Sequence, residues 1–215
     1  TLKDIIVIRD PEDDLGERFF LQTSSSGYFF TQTTGGGNSL SGETSITLDR
    51  WYYVTAVVNG QNLKLYVDGV LDGENAALSD TTSITADKLT IGAGEGYAAT
   101  RFFDGFLDEV SIWNRSLLQD EILENYNRQK GNYISKGEFT SQIFDSGGAS
   151  SWNNISWVSN TIGELPPNQV VETSFANGNA NMSGNVLLLH LNNDSNYGEN
   201  DTYVYDFSGN GNDGT

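Results

Sequence analysis

Cysteine is absent from the 215 residues, and histidine occurs once, as His190. Thiol chemistry, a disulfide framework and a zinc–thiolate site are therefore excluded. A multi-histidine metal site is excluded too, and a Ser-His-Asp triad would have to use His190. Basic residues are scarce: 11 Lys plus Arg stand against 29 Asp plus Glu, a formal net charge of −18. Phosphate backbones and anionic membrane surfaces both demand clustered cations, so neither nucleic acid nor a membrane surface is an expected partner. No apolar run approaches the ~20 residues of a membrane span, and nothing at Thr1 reads as a signal peptide. The chain is expected to be mature, processed or cut from something longer. Charged residues reach only 19% while aromatics reach 12%, which fits a packed acidic domain and not a disordered tail.

Turn formers are abundant, with 24 Gly and 22 Asn. Asn59-Gly60, Asp68-Gly69, Asp72-Gly73, Asp104-Gly105 and Asp213-Gly214 can each supply the positive-φ residues of tight hairpins. Short stretches rich in Val, Ile, Tyr, Phe and Thr lie between them: Asp4–Ile8, Arg18–Gln22, Tyr28–Gln32, Lys88–Ile91, Phe102–Phe106 and Leu107–Trp113. Trp51–Val58 and Asn62–Val67 form the clearest hairpin. In it Leu63, Leu65 and Val67 alternate with Lys64 and Tyr66, placing one face in a core. Many short strands with regular turns predict an all-β sandwich. One amphipathic helix is predicted over 117–129, with Leu118, Ile122 and Tyr126 recurring every fourth residue and Gly131 stopping it.

The segments Trp51-Tyr-Tyr-Val…Leu65-Tyr66-Val67-Asp68-Gly69 and Phe103-Asp-Gly-Phe-Leu-Asp-Glu-Val-Ser-Ile-Trp-Asn-Arg115 resemble the LamG-like, concanavalin A-like jelly-roll family over about residues 45–128. The resemblance implies an all-β jelly-roll sandwich with one short helix. Leu118 departs from the family's helix-capping Ser. In that family a segment like Leu187–Leu191 followed by Asp206–Thr215 opens the domain, whereas here it stands last. Residues 1–131 are therefore expected to be a jelly roll lacking its opening strands. Residues 132–184, with strand-like Phe139–Phe144 and Ile155–Val158, would be a connecting β-segment, and 185–215 the start of another such domain. The apolar run Val186–Leu191 must be buried on both faces, and is expected to complete the sandwich of another copy of the chain. The alternative is one circularly permuted domain.

Asp206-x-Ser208-x-Asn210-Gly211 places hard oxygens at alternate positions with Gly sixth, the first half of a calcium-loop pattern. The resemblance implies one Ca²⁺ held by this loop and the strand's Asp, so Asp206, Asn210 and Asp108 are the candidate ligands. The acidic stretches 10–14 and 194–201 read as solvated turns. Glycoside hydrolysis needs two carboxylates converging on one bond. Asp108 and Glu109 are adjacent and point to opposite faces, so no enzyme is expected, and His190 reads as a core or edge residue. Tyr97, Trp152 and Trp157 are the candidate sugar-stacking aromatics, while the resemblance puts Trp51 and Trp113 in strand positions and implies that they are core. Five sequons, at Asn114, Asn154, Asn181, Asn193 and Asn200, permit surface glycosylation.

Two functional expectations follow. The first is an extracellular or cell-surface recognition and adhesion module, calcium-stabilised, with a glycan or matrix ligand. The second is a structural subunit whose chains assemble by strand exchange into a filament or surface layer.

Overall fold

The computed structural model describes residues 2–9, 17–33, 38–79, 88–94, 101–130 and 180–215. Three antiparallel sheets form two layers. The first layer is five-stranded, in the order β4 (Ser39–Ser45), β3 (Tyr28–Thr33), β2 (Glu17–Thr23), β1 (Lys3–Arg9), β8 (Lys88–Ile91). Facing it are β5 (Val54–Asn59), β6 (Asn62–Val67) and β7 (Val70–Asn75), with a second pair, β9 (Val110–Trp113) and β10 (Asn185–Leu189). Ile5, Leu21 and Phe29 of the first layer close on Leu65 and Val67 of the second. Val110, Leu187 and Leu189 close on Ile6 and Ile91. The fold is the expected all-β sandwich.

The predicted hairpin forms with Asn59 opposite Asn62 around Gly60, whose φ of 57° is open to glycine without strain. Tyr66, on the polar side of the alternation, is nonetheless buried. Helix α1 (Gln119–Gln129) lies over it, packing Ile122, with Leu117, on Val57 and Tyr66. β4 joins β7 across the rim through Asp72, whose carboxylate accepts the N–H groups of Glu43 (3.1 Å) and Thr44 (2.9 Å) and the Thr44 hydroxyl. A Cβ on Gly42 would lie 2.1 Å from Asp72 Oδ2, so this crossing requires glycine.

Residues 185–215 correct the strand-exchange expectation. β10 pairs with β9 of its own chain, Leu187 opposite Ile112, Leu188 opposite Ser111 and Leu189 opposite Val110. Its two faces are buried as expected, but in cis. Leu187 and Leu189 enter the inter-sheet core, and Leu188 meets Ala180, Met182 and Phe207 outside it. The C-terminal segment thus completes the sandwich of its own chain.

Leu118 at the N-cap of α1 offers no side-chain acceptor. Glu121 supplies the other half of a cap, accepting the Leu118 N–H at 2.8 Å. The same carboxylate takes a two-pronged bond from Arg115 (2.7 and 2.8 Å) and the Asn181 amide (3.0 Å), tying the helix to the C-terminal segment. The Arg115 guanidinium holds the Glu121 carboxyl below the usual carboxylate range. A depressed carboxylate stabilises the fold above its unfolded-state range and loses that contribution as acid protonates it. Glu121→Gln is expected to cost about 1–2 kcal/mol at neutral pH. Because the variant cannot titrate there, its deficit should shrink toward pH 3, which denaturant melts across pH would register.

Candidate functional site

The loop after β10 carries the sequence's calcium pattern, and its side chains are spent on the strand edge. Asp206 is 1% exposed. Its Oδ1 accepts the N–H of Leu188 (3.0 Å) and of Ser208 (2.9 Å). Its Oδ2 accepts the Ser208 hydroxyl (2.8 Å) and the Asn212 N–H (2.9 Å). On the carbonyl side, Val186 O receives the Asn212 amide (2.8 Å) and lies 3.2 Å from the Ser208 hydroxyl, whose one hydrogen it shares with Asp206, and Asn185 O receives the Asn210 amide (3.2 Å). Phe207 N–H donates to Leu188 O at 2.8 Å. The loop is an edge cap: β10 shows no row of open donors and acceptors to a further strand.

This arrangement decides the fit to calcium. An ionised carboxylate has about four lone-pair positions, and all four at Asp206 already face N–H or O–H donors. Asn210 turns its amide N–H groups, not its oxygen, to Asn185 O and to Ser208 Oγ (2.9 Å). Among the described residues no three His, Asp or Glu side chains are grouped to hold a metal. As placed, Asp206, Asn210 and Asp108 do not fit a calcium ion.

Asp108 is half-buried and accepts the Glu109 N–H at 3.1 Å. Glu109 takes a φ of 50°, a left-handed conformation uncommon outside glycine. That twist breaks the strand read over 107–113, so only Val110–Trp113 is paired, and the strand read over 102–106 is irregular chain. It also turns the Glu109 side chain inward, where Oε1 lies 2.6 Å from His190 Nδ1 with both side chains 3% exposed. The His190 ring packs 4.2 Å from that of Phe207. A buried Glu–His pair was not visible in a sequence that separates the two by 81 positions.

Among the described residues, two solvent-facing features bear on binding. Beside the end of β10, Leu191, Asn193, Glu199, Asn200, Asp201, Tyr203 and Val204 line a hollow of about 230 Å³. Both Glu199 oxygens are engaged, by the N–H groups of Asp194 (2.8 Å) and Tyr205 (3.2 Å). Asp213 accepts the Tyr203 hydroxyl and, more than any other group, raises its pKa. The stretch 194–201 is the solvated turn expected, with Ser195, Asn196, Gly198, Asn200 and Asp201 exposed and only Glu199 buried.

The second feature corrects the core assignment of Trp51. Trp51 is 44% exposed and Phe106 84% exposed, and their rings lie 6.4 Å apart at 38°. They project from the loops preceding β5 and β9, with Asp49, Arg50 and Asp104 beside them in sequence. Arg50 is anchored to Asp68 at 2.6 Å and lies over the Tyr52 ring. Trp113 is half-buried against both the helix-side and C-terminal clusters. Tyr97, Trp152 and Trp157, with the segments 10–14, 139–144 and 155–158, lie outside the described residues.

Residues 2–123 match the family model of the concanavalin A-like lectin/glucanases superfamily. Among curated proteins, none matches the chain. Among solved structures, it is similar to a native heptameric SAP-like pentraxin from Limulus polyphemus, with 20% identity and a TM-score of 0.51 over 60% of this chain and 64% of that one. It is also similar to a candidate carbohydrate binding protein from Bacteroides ovatus, with 15% identity and a TM-score of 0.58 over 99% of this chain and 47% of that one. At these identities the likeness is one of fold, and the chain spans less than two thirds of either neighbour's length.

Proposed function

Because this chain belongs to the concanavalin A-like lectin/glucanase superfamily, we propose that it is a non-catalytic glycan-binding module working outside the cell or on its surface. The exposed Trp51–Phe106 ring pair carries this reading. Large aromatics left in water are unfavourable unless something covers them, and a tilted pair of rings offers two π-faces to the C–H faces of consecutive sugars. Asp49 and Asp104, on the same loops, are acceptors for sugar hydroxyls. The superfamily's name spans lectins and glucanases, and the lectin side is favoured by Glu109. Its carboxylate is buried against His190, so the adjacent acids 108 and 109 do not open together on a cleft. Calcium has no part in this reading, because the carboxylate it would need is spent on the edge of β10.

Calorimetry against a panel of soluble polysaccharides tests the proposal. At least one glycan should bind, with no new reducing ends released. Trp51→Ala and Phe106→Ala should each weaken that binding by tenfold or more, on the order of 1.4 kcal/mol. Their melting temperatures should stay near that of the parent, since exposed positions seldom contribute more than about 0.5 kcal/mol. Full binding by the double variant would remove the ring pair from the account.

A further inference from the structure

Between Ala180 and Thr215 the chain has five acidic residues, Asp194, Glu199, Asp201, Asp206 and Asp213, and no lysine or arginine. The hollow of about 230 Å³ opens within this stretch. It is smaller than the ~300–1,000 Å³ of pockets for drug-sized ligands, which limits an occupant to about one sugar ring. Leu191 and Val204 give it apolar walls, and Tyr203 adds an aromatic one whose hydroxyl is held by Asp213. Of the two carboxylates in the lining, Glu199 is 5% exposed and serves backbone N–H groups. Asp201 is exposed at the rim. The amide oxygen of Asn200 is likewise occupied, by the N–H (2.9 Å) and hydroxyl (2.8 Å) of Thr202.

We infer that this hollow is a second sugar subsite, resting on the glycan-binding reading, and that it selects a ring bearing a free amino group. The ring's C–H face would lie on Leu191, Val204 and Tyr203, and its ammonium would face Asp201. An acidic sugar meets the like charges of Glu199 and Asp201, and no lysine or arginine is among the lining residues. A neutral or N-acetylated ring gains packing and hydrogen bonds only. An ammonium adds an ion pair at an exposed carboxylate and a cation–π contact with a phenol ring, together about tenfold in affinity.

The test is calorimetry of the full chain with glucosamine oligosaccharides and with the same oligosaccharides N-acetylated. The amino form should bind about tenfold more tightly, and the difference should fall as salt is raised. Asp201→Asn should abolish the preference. Asp120→Asn, an exposed acid in the first turn of α1, removes the same unit of charge elsewhere and should leave the preference intact. Trp51→Ala should preserve the ratio of the two affinities, which separates this subsite from the ring pair. Equal affinities, absence of binding by both oligosaccharides, a preference that survives Asp201→Asn, or an equal loss in Asp120→Asn would each overturn the inference. If the polysaccharide panel still binds through Trp51, the glycan-binding reading outlives that failure.

Discussion

Asp206→Ala is expected to lower stability by on the order of 4 kcal/mol, seen as a melting point lower by roughly 10 °C. The size follows from what the alanine leaves behind. The N–H groups of Leu188, Ser208 and Asn212 all lose their acceptor, and the Ser208 hydroxyl is left with only the longer bond to Val186 O. Each buried donor without a partner costs about 1–3 kcal/mol, less where water reaches it. Asp206→Asn should be milder, because one oxygen remains for the Leu188 and Ser208 N–H groups. The uncapped β10 edge should also make the alanine variant self-associate, which light scattering would show as a rise with protein concentration. A melting point within 2–3 °C of the parent would mean that the cap contributes little.

Arg101→Ala is expected to cost about 3 kcal/mol. Asp4 on β1 is fully buried, and one guanidinium nitrogen of Arg101 reaches it at 2.7 Å while also reaching Gln22 Oε1 at 2.7 Å. The Asp4 backbone N–H donates to Arg101 O at 3.0 Å, fastening the same two chain segments a second time. The other Asp4 oxygen, Oδ2, lies where a Cβ on Gly94 would fall, 2.1 Å away, so the approach is closed to any larger residue. Removing the arginine strands a carboxylate without its cation, and that is why the single substitution is severe. Asp4→Leu combined with Arg101→Met replaces both charges with apolar groups of similar bulk and should recover most of the loss. Urea melts of the parent, the single and the double variant decide the point. A double variant as unstable as Arg101→Ala would contradict it.

The fold was legible wherever period and turn chemistry agreed. The hairpin around Asn59-Gly60, the helix over 117–129 and the doubly buried run at 186–191 all form as their patterns predict. Among the described residues, β4, Ser-Leu-Ser-Gly-Glu-Thr-Ser, and β7, which carries Asp72 and Gly73, lack a strand's signature. Neither has the Val, Ile and aromatic content of a strand. β4 pairs with β3 and β7 with β6, and the Asp72 carboxylate fastens the two to each other across the rim, which local composition does not announce. Over 102–109 the aromatic content suggests strand, but the chain there is irregular, and the positive φ of Glu109 holds pairing back to Val110.

The candidate site was legible in part. Alternating oxygens at 206, 208 and 210 are as suited to capping a strand edge as to surrounding a cation, and the sequence does not say which. The answer lies in Leu188 and Val186, some twenty positions away, whose backbone groups face those side chains. Trp51 reads as core because the family resemblance puts it in a strand position; only the pairing that begins at Val54 shows the indole to be outside the sheet. Phe106, between Gly105 and Leu107, gave no signal of its own.

Recognition through two exposed rings, with the polar loop devoted to the fold, is tested most directly by one binding measurement made in two media. Parent and Trp51→Ala proteins are titrated with the best-binding polysaccharide, first in millimolar calcium and then in excess chelator. The parent should bind equally in both media, and Trp51→Ala should be weak in both. Binding that disappears on chelation and survives in Trp51→Ala would contradict the account.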